Sequence, residues 1–241
     1  TLPGVEHIIE NVSMNSTELG EYEKMEKNFL KWYEESPIGI RGFLDRATIF
    51  MKMHSIRQKA IEQKLPVIRN ILEENLVGKT KSVVYTTYIA AAEKLKNELK
   101  DFNPLLLTGK STSGERIKMV RDFHGDFSNR AFIITAAGGE GIDLTPASIF
   151  VYANKPLTYA DAKQALDRTD RRGQKNKIKA FNIVTSETID ERIERLIERK
   201  REEYERVIHD VSGFKKWFEE DEAKNVRELI GSMIAERKLS A

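Results

Sequence analysis

The chain has 241 residues, 40% hydrophobic and 32% charged, the make-up of a soluble globular protein with much solvated helix and room for one large domain or one and a half ordinary ones. Zero cysteines exclude disulfides and thiolate metal sites and suit a reducing compartment, and four scattered histidines without an H-E-x-x-H pair argue against a zinc enzyme. No apolar run approaches the roughly 18–20 residues that span a bilayer, and a net charge of +2 is too small to point to nucleic acid unaided.

No signal peptide opens the chain and its first residue is Thr1 rather than Met, so a piece of a longer protein is expected. Residues 1–75 read as a short strand, "EHIIENVSM", and a helical extension. In "GEYEKMEKNFLKWYEE" Tyr22, Met25, Phe29 and Trp32 recur every three or four residues, which makes a packing face. "SPIGIRG" is a break, and a second helical stretch is expected from about Leu44 to Asn75.

From residue 76 to 186 the texture changes. "SVVYT", "PLLL", "AFIITAA", "SIFVYA" and "IKAFNIV" are short apolar runs, divided by the helical lists "AAAEKLKNELK" and "TSGERIKMVRDFH" and by a helix over 159–172. Thr112 and Glu115 carry the spacing of a capping box. Strands alternating with helices predict an α/β fold: a parallel sheet sandwiched by helices. Residues 187–241 open with "TSETIDERIERLIERKREEYERVIHD". There Thr188 and Glu191 suggest another capping box, and Ile189, Ile193, Leu196, Ile197, Lys200, Tyr204 and Val207 form an interrupted apolar stripe. Glu191/Arg195 and Glu202/Arg206 have the spacing of ion pairs along a helix that braces the sheet domain. Trp217 and Phe218 stand amid acids in a segment read as a packed accessory helix.

Three nucleotide-like motifs fail on inspection. "GKT" at 78–80 and "GKS" at 109–111 lack the glycine five positions earlier that a phosphate loop needs, where Glu73 and Pro104 stand instead. "VGKTKSVVY" also enters a strand rather than a helix N-terminus. "DEAK" at 221–224 follows "WFEE" on a solvated helical surface, not a buried strand.

"QALDRTDRRGQ", residues 164–174, is more informative. Helical spacing predicts Gln164, Arg168 and Arg171 along one stripe, with Gly173 ending the helix in a left-handed cap. Two planar, permanently charged guanidinium groups suit a phosphate that gains charge in a transition state. Supplied from a second body, such a group is an arginine finger.

The surrounding text, "AFIITAAGGEGIDLTPASIFVYANKPLTYADAKQALDRTDRRGQ", resembles motifs V and VI of superfamily-two helicases. Its ending resembles that of the Swi/Snf-type ATPases, whose motif VI reads Q-A-x-x-R-x-x-R-x-G-Q. "KSVVYTTY" is similar to motif IV, "LTGKSTSGERIKMVRDFH" to the segment after it, and "LPGVEHIIENVSMNSTELGEYEKM" to the stretch joining the two lobes. The resemblance implies the second RecA-like lobe of an ATP-dependent double-stranded DNA translocase, with ATP and Mg²⁺ held mainly by a first lobe. Arg168 and Arg171 match the arginines that contact the triphosphate, Arg171 being the finger proper, and Gln164 matches the glutamine at the lobe interface. Gly138, Gly139 and Gly141 let backbone approach the ligand, Glu140 and Asp143 face the nucleotide cleft, and Asp143 is assigned to the ribose. Thr135, Thr108, Gly109, Lys110 and Ser111 match contacts to DNA phosphates, which carry no base information. The partners implied are duplex DNA and the first lobe, with no membrane, inside a cell, in cytoplasm or nucleus.

Departures are concentrated near motif VI. Leu157, Thr158 and Tyr159 stand where most members have Trp-Asn-Pro, Asp167 and Asp170 replace a small residue and a histidine, and Asp143 replaces asparagine. The inserted acids fit a bacterial, archaeal, phage or viral branch better than the eukaryotic remodellers. Two other readings stand beside this one: a non-catalytic RecA-like binding module, and lobe two of a DEAD-box-like RNA helicase.

Overall fold

A computed structural model describes residues 2–36, 46–125, 128–139, 141–207 and 222–239. Most of the "SPIGIRG" break, Glu140, the Val207 side chain and the Trp217–Phe218 segment lie outside the described residues. The chain divides into two compact units. One comprises the chain up to Val12, Gln63–Pro156 and Ala162–Val184; the other comprises Ser13–Glu62, Leu157–Asp161 and the chain from Thr185 onward.

The first unit is built on one sheet. Strands β1 (Val5–Val12), β2 (Lys81–Thr86), β3 (Leu105–Leu107), β4 (Ala131–Thr135), β5 (Ala147–Tyr152) and β6 (Ile178–Thr185) lie in the order β1-β6-β5-β2-β4-β3. The β2·β4, β2·β5, β3·β4 and β5·β6 pairings are parallel, with Val84 opposite both Ile133 and Val151. Side chains alternate between faces along a strand, and two apolar clusters follow that alternation. Val84, Ile133, Ile149 and Val151 pack with Ile68, Ile71 and Leu72 of α3 (Lys64–Asn75) and with Ala92 and Leu95 of α4 (Ile89–Glu98). Val83, Tyr85, Phe132, Ile134 and Phe150 pack on the other side. Their neighbours are Phe123 of α5 (Ser113–Gly125) and Ala162, Ala165 and Leu166 of α6 (Tyr159–Leu166). Burial on both faces is why the central strands read as continuous apolar runs. This is the expected RecA-like architecture.

The spacing that predicts one helix from Leu44 to Asn75 yields two, α2 (Arg46–Lys59) and α3, divided at residues 60–63. Pro66 supplies the reason. Inside a continuous helix its ring would meet the carbonyl of residue 62, whereas as the third residue of α3 it sits where backbone donors lack helical partners anyway. Lys64, only 1% exposed, sends its ammonium to the carbonyls of Ala153 and Ile183 at 2.9 and 2.8 Å, just past β5 and near the end of β6.

The second unit packs α1 (Ser16–Glu35), α2, α7 (Ile189–Val207) and α8 (Glu222–Leu239) around Tyr22, Phe29, Met53, Ile193, Leu196, Val226 and Leu229. The Tyr22, Met25, Phe29, Trp32 stripe is a packing face, as its spacing indicates. At the start of α7 the expected Thr188–Glu191 box gives way to another arrangement. The Thr188 hydroxyl accepts from the Asp190 N–H and donates to the Thr185 carbonyl, and the Ile189 N–H goes to the buried Tyr22 hydroxyl at 2.7 Å. Arg195 turns to Glu236 of α8 rather than to Glu191, while Arg206 and Glu202 do pair, at 3.5 Å. Among the described residues no helix is long and apolar enough to cross a membrane.

Candidate functional site

In an open parallel sheet, ligands collect outside the carboxyl ends of the strands. At the end of β4, Thr135 is 3% exposed; its carbonyl takes the Gly139 N–H at 2.8 Å and its hydroxyl the Gly138 N–H at 3.4 Å. A Cβ on Gly138 would stand 2.4 Å from the Leu107 carbonyl oxygen and 2.8 Å from the Thr108 Cα, so only glycine lets this loop lie against the end of β3. Gly141 has φ +70°, a conformation that favours glycine.

Past β3, the sequence-predicted DNA residues form one tight turn. The Ser111 N–H donates to the Thr108 carbonyl at 3.1 Å, the Lys110 N–H to the Thr108 hydroxyl at 3.2 Å, and the Thr108 N–H to the Ser111 hydroxyl at 3.2 Å. Thr108 is buried, while Gly109 and Lys110 are exposed. Directly after it comes the expected capping box of α5: the Thr112 N–H donates to the Glu115 carboxylate at 2.7 Å and the Glu115 N–H to the Thr112 hydroxyl at 3.3 Å.

The arginine-bearing segment differs from its expected form. Helix α6 ends at Leu166 instead of running to 172, so Gln164, Arg168 and Arg171 do not share a helical stripe. Helical bonding gives way to turns. The Thr169 hydroxyl donates to the Leu166 carbonyl at 2.7 Å, and the Arg168 and Thr169 N–H groups reach back three residues rather than four. Hydroxyl-to-carbonyl competition of this kind disfavours helix continuation. Gln164 is exposed, Arg168 is 7% exposed and Arg171 is half-buried. The Arg171 Nε donates to the Asp167 carbonyl at 2.9 Å, and no carboxylate among the described residues pairs with the rest of that guanidinium. Gly173 does hold a positive φ, +107°, in the turn rather than at a helix cap.

Direct bonds join this turn to the loop after β4. The Leu144 N–H donates to the Arg168 carbonyl at 2.9 Å. Gln174, buried, sends its amide to the carbonyls of Thr145, Ala147 and Thr169 at 3.1, 2.8 and 3.1 Å, and its amide oxygen takes the N–H groups of Lys175 and Asn176. Asp143 is exposed, its carboxylate accepting the Thr145 N–H at 2.9 Å. The turn at 108–111, the glycine loop and the arginine turn thus form one chain of contacts. Glu140 lies outside the described residues.

The inserted acids have a measurable consequence. Burial first, and then the Asp167 charge, push the Asp170 carboxyl up from its ordinary value, with Lys163 drawing it back. Lys163 itself holds Asp167 at 2.9 Å. A carboxyl raised in the folded state costs stability once ionised. Asp170→Asn is therefore expected to raise the melting temperature at pH 7, with the gain vanishing as pH falls below about 4. Melts at both pH values check this, and equal midpoints at pH 7 would refute it.

Sequence reasoning missed Asn154. Buried just beyond β5, its amide oxygen takes the Thr86 hydroxyl at 2.6 Å and its amide nitrogen donates to the Thr87 hydroxyl at 2.6 Å, closing the gap between the ends of β2 and β5. The available signal was the polar "TT" and "N" directly after apolar strands. Among the described residues no group of three or more His, Cys, Asp or Glu side chains is placed to hold a metal ion.

Residues 63–173 match the helicase conserved C-terminal domain family. The chromatin-remodelling ATPase INO80 of Mycosarcoma maydis is 31% identical over 142 residues, which is 58% of this chain and 7% of that protein. The chain therefore spans only a small part of such relatives. Two solved structures share the fold. The C-terminal part of the Fun30 ATPase domain has a TM-score of 0.67 at 17% identity, over 82% of this chain and 90% of that one. The Sulfolobus solfataricus SWI2/SNF2 ATPase core in complex with dsDNA has a TM-score of 0.66 at 19% identity, over 91% and 50%. The relatives include bacterial as well as fungal proteins, and a phage or viral source gains no support.

Proposed function

We propose that the chain is the second RecA-like lobe of a Swi/Snf-type superfamily-two ATPase, and that within its two-lobed protein it supplies arginine fingers to ATP bound on the first lobe and grips the backbone of duplex DNA. The observation that carries this reading is Arg171: half-buried, held through Nε by its own turn, and matched by no described carboxylate. A structural arginine is ordinarily paired, whereas a finger keeps its charge for a phosphate.

ATP with Mg²⁺ supplies the scissile phosphoanhydride, and the ligands for the metal belong to the first lobe. Arg171 and Arg168 stabilise the charge that develops on the transferred phosphoryl group. Gly138, Gly139 and Gly141 give main-chain access to the ligand, Asp143 lines the nucleotide side, and Gln164 meets the first lobe. Thr108, Gly109, Lys110, Ser111 and Thr135 hold DNA phosphates, which makes binding independent of sequence and steeply salt-dependent. Because the glycine loop touches the 108–111 turn and is bonded to the arginine turn, closure on nucleotide displaces the DNA grip with it. Repeated closure and release moves the protein along duplex DNA.

A site divided in this way leaves residues 1–241 by themselves without hydrolytic activity. A single-turnover assay with excess protein over ATP is expected to show cleavage no faster than in buffer. Cleavage by the isolated chain would sink the split-site reading.

A further inference from the structure

We propose that His124, the penultimate residue of α5, is a positioning residue for the arginine turn, acting through the peptide that joins Asp143 to Leu144. The proposal rests on the reading of Arg168 and Arg171 above and adds to it a side chain that has had no part so far. The His124 Nε2 lies 3.0 Å from the Asp143 carbonyl oxygen. A carbonyl can only accept, so Nε2 carries the proton and donates. At the other end of the same peptide, the Leu144 N–H donates to the Arg168 carbonyl at 2.9 Å. A trans peptide is planar, with its C=O and N–H pointing opposite ways. One rigid plate therefore spans the gap from the end of α5 to the arginine turn.

The backbone that carries the His124 ring is fixed from the core. Beside it Phe123 is fully buried, its ring edge-on to Phe132 with centroids 5.0 Å apart, and the buried Lys81 ammonium donates to the Phe123 carbonyl. Ile142 and Leu144 are buried in the same apolar cluster and settle where the loop runs. They do not settle which way the peptide between 143 and 144 faces, because Asp143 is exposed and the plane can turn about the bonds that flank it. Such a turn withdraws the Leu144 N–H from the Arg168 carbonyl. The His124 donor opposes it from the far side. Water can match an exposed hydrogen bond in energy but not in direction, so the ring contributes orientation more than stability. Misplacing a catalytic group by about 1 Å costs up to about 100-fold in rate, and a shift relayed through one peptide is smaller.

The test uses the intact two-lobed protein with saturating duplex DNA, comparing His124→Leu, His124→Gln and Arg171→Ala with wild type. The expected result for His124→Leu is a kcat lower by about threefold to tenfold and a KM for ATP within about twofold. Its melting temperature should stay close to wild type, because the position is exposed. Hydrogen exchange at the Leu144 amide is expected to quicken by about tenfold or more. His124→Gln, whose amide nitrogen lies the same number of bonds from Cα as Nε2, is expected to recover most of both effects. His124→Ala removes the same donor and stands in should His124→Leu not fold. Wild-type kcat in the folded variants overturns the proposal. So does a loss of kcat with Leu144 exchanging at the wild-type rate, one that merely tracks the fraction of folded protein, or one that His124→Gln does not relieve. Unchanged turnover in Arg171→Ala overturns the underlying site reading and the proposal with it. Lost turnover there beside wild-type turnover in His124→Leu overturns the proposal alone, so the two failures are told apart.

Discussion

Arg171→Ala in the intact two-lobed protein is expected to lower ATP turnover by roughly 10³–10⁵-fold, with affinity for duplex DNA changed little. The size follows from the chemistry. The guanidinium meets charge that is larger in the transition state than in bound ATP, so its removal strikes kcat more than KM. The Nε bond to the Asp167 carbonyl aims the group through the backbone of its own turn. Alanine at 171 removes no buried ion pair among the described residues, and the fold should survive. Arg171→Lys is expected to rescue poorly, since an ammonium cannot reproduce a planar, two-pronged contact. Steady-state turnover and DNA binding on the same preparations decide the matter: wild-type turnover would mean a docking module instead of a motor lobe, and joint loss of turnover and DNA binding would mean a folding role for Arg171.

Gly138→Ala is expected to cost about 1–3 kcal/mol of stability and to weaken DNA binding together with ATP turnover. The added methyl collides with main-chain atoms of Leu107 and Thr108, which have no rotamer to escape into, so the loops after β3 and β4 must part. Gly20→Ala is the matched control. It lies on the exposed face of α1 with nothing within 4 Å of a new Cβ, and alanine there should stabilise by about 0.5–1 kcal/mol through helix propensity. Thermal melts of the two variants should therefore move in opposite directions. A Gly138→Ala protein with wild-type stability would show that the two loops need not lie so close.

The fold was legible because strands buried on both faces cannot hide: "SVVYT", "AFIIT" and "SIFVY" are nearly free of charge, and the helices between them carry their own stop signals. The arginines stood out by their chemistry, whereas the glycines and the 108–111 turn became candidates only through the resemblance to the helicase motifs. What escaped depends on hydrogen bonds made at single positions, some local and some far off in sequence. The end of α6 at Leu166 is set by the Thr169 hydroxyl competing for a carbonyl and by bonds from Leu144 and Gln174, and helical spacing cannot register these. Asn154 and Asn225 find their partners 67 or 68 residues away. The division at residues 60–63 was different: Pro66 was in plain view, and its steric demand on residue 62 outweighs the periodicity that runs through it.

Lys64 has a consequence of another kind. Its amine is sealed from solvent and committed to carbonyls at the ends of two neighbouring strands. Acylating reagents need a free, uncharged amine in contact with water, so they can reach Lys64 only when the start of α3 lifts from those strand ends. Against the exposed amine of Lys110, the delay before Lys64 is labelled is a built-in clock for the opening of the sheet unit.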